Sequence, residues 1–249
     1  MEIEQVAQVF SLWVFKIGDM FLKEFLKEVE ESFKFLEADG FKLRNVDPSE
    51  NRFIGFEKQF DAGALRIMFQ WTQYGEKFYV EEIRAEKRFD IVEEELQKVL
   101  SCDLNDLYTI YVAPSLKSVP VELECIQTTF GGFQLTILSK EDLVLFTSFM
   151  KEFYLNSVQE FFDAFQNLSS VNEQLQSLLE RKEIQTLLTS AGNSTILRLY
   201  LIAVFYSNEF VLDYFNNFYF TYLKDNISKS TVKITSERFE ILKRNIGQS

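Results

Sequence analysis

Histidine is absent from all 249 residues. That gap excludes Ser-His-Asp and Cys-His catalysis, histidine-ligated zinc and any imidazole pH switch together. Cysteine is nearly absent as well: Cys102 and Cys125 stand alone, without C-x-x-C spacing. Two thiols in a chain this long fit a reducing compartment, where buried cysteines serve as small hydrophobes. Proline occurs three times and glycine nine times, so helices and regular strands with short connections are expected to dominate. No stretch approaches the roughly 18 uninterrupted apolar residues of a membrane span. The best one, ILRLYLIAVFYSNEF, contains Arg198 and Glu209. The first residues carry Glu2 and Glu4 where a secretory signal needs positive charge. The chain is expected to be cytoplasmic, with no membrane partner.

Positive charge is the minority sign: 26 Lys and Arg face 38 Asp and Glu, a formal net charge of −12. That balance disfavours nucleic acid, whose phosphates are bound by Lys and Arg. It favours solubility, or association with one basic protein partner. Against these scarcities stand 27 phenylalanines. Each supplies roughly 1.5–3 kcal/mol when fully buried, so a large core forms without disulfides or metal.

The hydrophobic period divides the chain. Val6, Phe10, Trp13 and Ile17, then Leu22, Phe25, Val29, Phe33 and Leu36, recur at helical spacing. Gly18 and Asp19 offer a break, and Gly40 sits where a C′ glycine closes a helix. The period then changes to two. Leu65, Ile67, Phe69 and Trp71 share one strand face, with Arg66, Met68 and Gln70 on the other. RFIGFEKQF and KFYVEEIRA flank this strand across the turn sequences DAG and QYGE, which predicts a three-stranded meander. RFDIVEEELQKVLS returns to helix, with Ile91, Leu96, Val99 and Leu100 apolar. LYTIYVA, VPVELECIQ and FQLTILS read as three more strands, the last after a Gly131-Gly132 turn.

After Ser139 the strand pattern ends. Ser139 with Asp142 forms a capping box before a long helix carrying Leu143, Phe146, Met150, Phe153, Phe161, Ala164 and Leu168. Ser170 with Glu173 predicts a second box, opening a helix that Gly192 ends; a third helix starts at Asn193 or Ser194 and runs to about Leu223, and SERFEILKRNI makes a final one. The fold class expected is α+β: an N-terminal helix, a roughly six-stranded, mainly antiparallel sheet, and a helical C-terminal half. Residues 1–138 form the sheet region and 139–249 the helical region packed on it as one body. The aromatic stretch DYFNNFYFTYL puts Val211, Phe215, Phe218 and Tyr222 on one helical face and Asp213, Asn216, Asn217 and Thr221 on a polar side. It lacks the basic residues of a membrane-surface helix or a base-stacking platform. It reads as core.

No phosphate loop or nucleophile elbow occurs, so no cofactor, metal or catalytic residue is assigned. Glu81 and Glu82 are expected on opposite strand faces, unable to share a metal. Glu122 and Glu124 share a face, where a hard cation or an acid/base pair is conceivable, although the wet side of an antiparallel sheet is the plainer reading. Glu93, Glu94 and Glu95 open a helix and complement its dipole, and an exposed acidic ridge there would meet a basic partner. Arg66, Arg84 and Arg88 would make an anion site if strand register brought them together.

The phrase FLEADGFKL at 35–43 followed by strands RFIGFEKQF and LRIMFQWTQYGEKFYVEEI resembles bacterial α+β proteins, some of which are immunity proteins beside toxin genes. The resemblance covers the first 140 residues or so and transfers no functional residue. It implies an acidic, cytosolic, non-catalytic inhibitor. The expected function is therefore a non-enzymatic protein that binds one basic protein partner, with Glu93, Glu94, Glu95, Glu122 and Glu124 as contact candidates. A subunit of a bacterial defence or stress complex is the alternative. A carboxylate-dependent enzyme, with or without a divalent metal, ranks last.

Overall fold

The structure, a computed structural model, describes residues 25–45, 53–100, 108–128, 132–181, 195–219 and 229–246. The expected α+β class holds, with an N-terminal helix, a mostly antiparallel sheet and a helical C-terminal half. Seven strands form the sheet, in the order β1-β2-β3-β4-β7-β6, and β5 also pairs with β4. They are β1 (Lys42–Asn45), β2 (Phe53–Phe60), β3 (Gly63–Tyr74), β4 (Lys77–Phe89), β5 (Ile110–Val112), β6 (Glu124–Gln127) and β7 (Phe133–Ile137). The extra strand, β1, has only four residues. Two compact units divide the chain: one comprises 1–58, 67–84 and 114–156, the other 59–66, 85–113 and 157–249. Strands β2, β3 and β4 contribute residues to both.

In the first unit the predicted helical stripe is realised over α1 (25–32) and α2 (Lys34–Ala38): Phe25, Val29, Phe33 and Leu36 are all buried. The part of that stripe before Phe25 lies outside the described residues. Gly40 adopts φ +85° and completes a Schellman closure, its N–H donating to Glu37 and that of Phe41 to Leu36. Ring packing explains the phenylalanine content. Phe25 stacks on Phe78 with centroids 4.2 Å apart, Phe33 stacks on Phe56 at 5.0 Å, and Phe146 meets Phe69 edge-on at 5.1 Å. Phe146 belongs to α4 (Lys140–Phe153), whose Ser139–Asp142 capping box forms as read, with Asp142 N–H donating to Ser139 Oγ at 3.1 Å.

The second unit surrounds α7 (Thr195–Phe205), in which every residue from Thr195 to Ala203 is buried. A helix apolar all round is an interior helix. Around it pack α3 (Asp90–Leu100), α6 (Leu168–Glu180), α8 (Glu209–Asp213) and α9 (Lys229–Ile246). Gly63, at the start of β3, is required by close approach. A Cβ there would strike the Arg88 carbonyl and lie 3.2 Å from Phe89 Cα.

Several boundaries differ from expectation for identifiable reasons. The long helix after Ser139 is relieved by a π-turn at Tyr154–Val158, continues as α5 (Gln159–Ala164), and stops at Phe165. The second capping box is Asn167 with Ser170, three residues earlier than read; Ser169 instead donates to Glu173. The helix expected through Leu223 breaks after Phe205, where Ser207 takes φ +49° and Asn208 caps α8. In the aromatic stretch that follows, Val211 and Phe215 are buried while Asp213 and Asn217 are exposed, as the core reading requires. Phe218 and Tyr222 lie outside the residues whose side chains are described, as does the expected helix end at Gly192. In α3 the buried face is Val92, Glu93, Leu96 and Leu100, and Ile91 is exposed. No helix among the described residues is long and apolar enough to cross a membrane.

Candidate functional site

The acidic residues singled out from sequence meet three different fates. Glu93 is a correction: it is not part of an exposed ridge but lies 1% exposed inside the second unit. Arg198 of α7 clamps it, with Nε 2.8 Å from Oε1 and Nη2 2.7 Å from Oε2. Thr109 Oγ1 donates to the same carboxylate at 2.8 Å and accepts from the Phe89 N–H at 2.9 Å. The Tyr108 ring covers the guanidinium, 5.6 Å from its centroid. A buried charge needs such satisfaction, because desolvating it alone costs several kcal/mol. Glu94 remains exposed, and Glu95 is tied to Lys98 at 3.2 Å. The expected ridge is thus reduced to one exposed and one half-engaged carboxylate.

The arginine triplet is likewise distributed among carboxylates. Arg66 pairs with Glu86 at 3.3 Å, Arg84 with Glu82 at 2.9 Å and Arg88 with Asp90 at 2.8 Å. Cys125 is half-buried, and burial raises its thiol pKa. Cys102 lies outside the described residues.

Glu122 and Glu124 are both exposed in the first unit. The strand is shorter than read, so they are not strand neighbours sharing a face. Residues 120–123 form a turn closed by the Leu123 N–H donating to the Pro120 carbonyl at 3.1 Å. Its tip presents Val121, 95% exposed, and Glu122. Glu124 then begins β6, the last strand in the sheet order. Register fixes what surrounds it. Glu124 and Tyr79 both stand opposite Thr136, and Ile126 stands opposite Gln134. Cys125 and Gln127 face the same side as buried Leu135 and half-buried Phe133, so Glu124 and Ile126 point to the outer face.

A backbone feature adds acid to this face. Along β4 the buried positions run Phe78, Val80, then Ile83, Ala85, a one-residue change of phase. Glu82, with φ +51°, is the inserted residue. Glu81 accepts from Gln134 at 3.4 Å and Glu82 from Arg84, so both carboxylates belong to the outer side, contrary to the opposite-face expectation. Tyr74 packs edge-on against Tyr79 at 5.9 Å beside them. The outer face therefore carries Tyr74 on β3 and Glu81 and Glu82 on β4 and, beyond β7, Glu124 and Ile126 on β6, an edge that follows the Val121–Glu122 turn and pairs with nothing further among the described residues. Chemically it accepts hydrogen bonds and positive charge. Among the described residues no group of three or more potential ligands is arranged to hold a metal ion.

Compared with protein-family models, curated proteins and solved structures, the chain matches none.

Two residues escaped the sequence reading. Arg198 enters there only as an argument against a membrane span, and Lys87 falls between the expected strand KFYVEEIRA and the expected helix RFDIVEEELQKVLS. The spacing of Glu93 to Leu96 and Leu100, three and then four residues on, did place Glu93 on the buried helical face. Ser148 and Lys151 also stand at S-x-x-K spacing on α4, but both are exposed, with Lys151 over the Phe35 ring.

Proposed function

We propose that this chain is a non-enzymatic, cytoplasmic protein that binds and covers one basic protein partner, as an immunity protein covers its toxin. The observation that carries this reading is the outer edge at β6: Glu122 and Glu124 exposed beside Val121 and Ile126, the latter 52% exposed. An open strand edge is a template for an added strand. Here the template discriminates. Two copies pairing through β6 would bring glutamates close to glutamates, and like charges across a strand pair repel. An extended segment paired to β6 with Lys or Arg opposite Glu124 and an apolar residue two positions along would meet that carboxylate and cover Ile126 on the same outer face. The net charge of −12 steers such a partner from a distance.

The test is capture of partners from the source cell with the intact, tagged chain, repeated with the Glu122→Lys/Glu124→Lys double variant. A single stoichiometric basic protein, lost with the double variant and weakened as salt rises to roughly 0.3 M, supports the reading. Capture of a neutral or acidic protein, or capture indifferent to the charge reversal, removes it. Co-purification of several proteins in fixed ratio would instead favour a subunit of a larger complex.

A further inference from the structure

Lys87 is a lysine in an unusual place. It lies on β4 in the second unit, opposite Ile110 of β5, with only 4% of its surface exposed. Its Nζ sits 5.1 Å from the centroid of the Phe60 ring and 5.6 Å from that of Phe89. A single hydrogen bond is available to it among the described residues, to the Phe162 carbonyl at a long 3.4 Å. No carboxylate among the described residues lies within ion-pair distance, and Asp163 acts on it only from further away. An ammonium group has three N–H donors and is strongly hydrated in water. Here one weak acceptor and two ring faces replace that hydration.

This environment selects among lysine chemistries. Desolvation enlarges the neutral fraction of an amine, and that fraction is nucleophilic, which is how buried lysines form imines with carbonyl compounds. An acyl donor would leave a neutral amide and carbon dioxide an anionic carbamate, neither of which carries positive charge to set against the ring faces. A protonated imine fits what is present. It carries one N–H, matching the one acceptor at Phe162, and its delocalised positive charge suits the faces of Phe60 and Phe89.

We propose that Lys87 is an imine-forming amine for a small aldehyde or ketone. The deprotonated Nζ adds its lone pair to the carbonyl carbon, giving a carbinolamine. Loss of the hydroxyl as water then breaks the C–O bond and leaves the protonated imine. Overall, lysine ammonium plus carbonyl compound gives iminium plus water, with charge conserved and no oxidant or reductant needed. Phe60 is only half-buried, so a reagent of a few atoms would approach the amine from its side. The inference is independent of the β6 edge, which belongs to the other unit.

The test uses the full chain with acetaldehyde as probe and cyanoborohydride to trap the imine near neutral pH. Peptide mass spectrometry then gives the initial rate of ethylation at each lysine. Lys87 should be modified at least about tenfold faster than exposed Lys27 and Lys117, the direction its larger neutral fraction dictates. In strong urea that preference should vanish. With acetic anhydride, an acyl donor of similar size, it should fall several-fold. Modification of Lys87 no faster than Lys27 and Lys117 overturns the proposal. A preference that persists in urea, or one equally large with the anhydride, overturns it as well, because fold-specific imine chemistry would then not be its source.

Discussion

Glu93 and Arg198 stand 105 residues apart in sequence and form a two-pronged ion pair with side chains 1% and 0% exposed. The pair joins the first turn of α3 to α7, and Thr109 ties the same carboxylate to the backbone of Phe89. Its worth is asymmetric. Removing one partner strands a charge in the interior, whereas replacing both with apolar groups removes charge and desolvation cost together. Arg198→Met or Glu93→Leu alone should therefore destabilise the protein by about 3–5 kcal/mol. The double variant should recover most of that loss. Urea unfolding of the four proteins completes the cycle, and an additive double variant would show that the pair is not coupled.

Lys87 gives stability a pH dependence of defined sign. Burial lowers its pKa from 10.5 to about 8, opposed in part by Asp163. Below about pH 8 both folded and unfolded states hold the proton, and the folded state bears the full desolvation cost. Between about 8 and 10.5 the unfolded state binds more protons, so stability rises with pH. The swing is about 3 kcal/mol. Tyr200 and Cys125 work against it, since burial raises both pKa values and their unfolded forms lose protons first as pH climbs. The difference between wild type and Lys87→Met isolates the lysine. The variant should be the more stable protein near pH 7, and its advantage should fade toward pH 10.5. An advantage that grows with pH would contradict the buried-amine account.

The sequence carried the regular parts of this fold and concealed the compensated ones. Alternation along Ile67, Phe69 and Trp71 and the helical recurrence of Phe25, Val29, Phe33 and Leu36 were legible because these residues all face the core. The Ser139 cap and the Gly40 closure were legible because they are local. Glu93 was misread because its partner lies on another helix, and only tertiary structure states that a carboxylate at the start of α3 has an arginine waiting for it. Glu81 and Glu82 were placed on opposite faces because strict period two does not foresee a left-handed glutamate. β6 was overextended because Val119 and Val121 continue the alternation numerically, although Pro120 opens a turn that puts Val121 in solvent.

Gly63 makes a local prediction with a large effect. Its φ of +156° disfavours other residues, and an added methyl would meet the Arg88 carbonyl and press on Phe89. Neither neighbour is a flexible side-chain end; both belong to the backbone of β4. Gly63→Ala should destabilise the protein by about 2–4 kcal/mol through strain and overpacking. Gly75 is the control, since nothing lies within 4 Å of a Cβ there, and its φ of +60° costs Gly75→Ala only about 1 kcal/mol. Comparable melting-temperature losses for the two variants would contradict the close approach.

The β6 edge raises a question of what its charges prevent as well as what they bind. Natural sheets guard open edges with charged residues, and Glu124 stands where a guard is needed: on the last strand in the sheet order, two residues before exposed Ile126. The Glu124→Val variant removes that guard and extends an apolar strip along the outer face. Val also favours strand geometry over Glu, so the backbone becomes a better template. The variant should self-associate in a concentration-dependent way, read by sedimentation velocity, while the wild type sediments as before. Glu124→Lys should not associate with itself, because lysines repel across a pair as glutamates do. It should, however, bind wild-type protein more tightly than wild type binds itself, a mixed complex weakened by salt. If neither variant changes the sedimentation of the protein alone or in mixture, β6 does not offer an accessible pairing edge, and the partner must be met elsewhere.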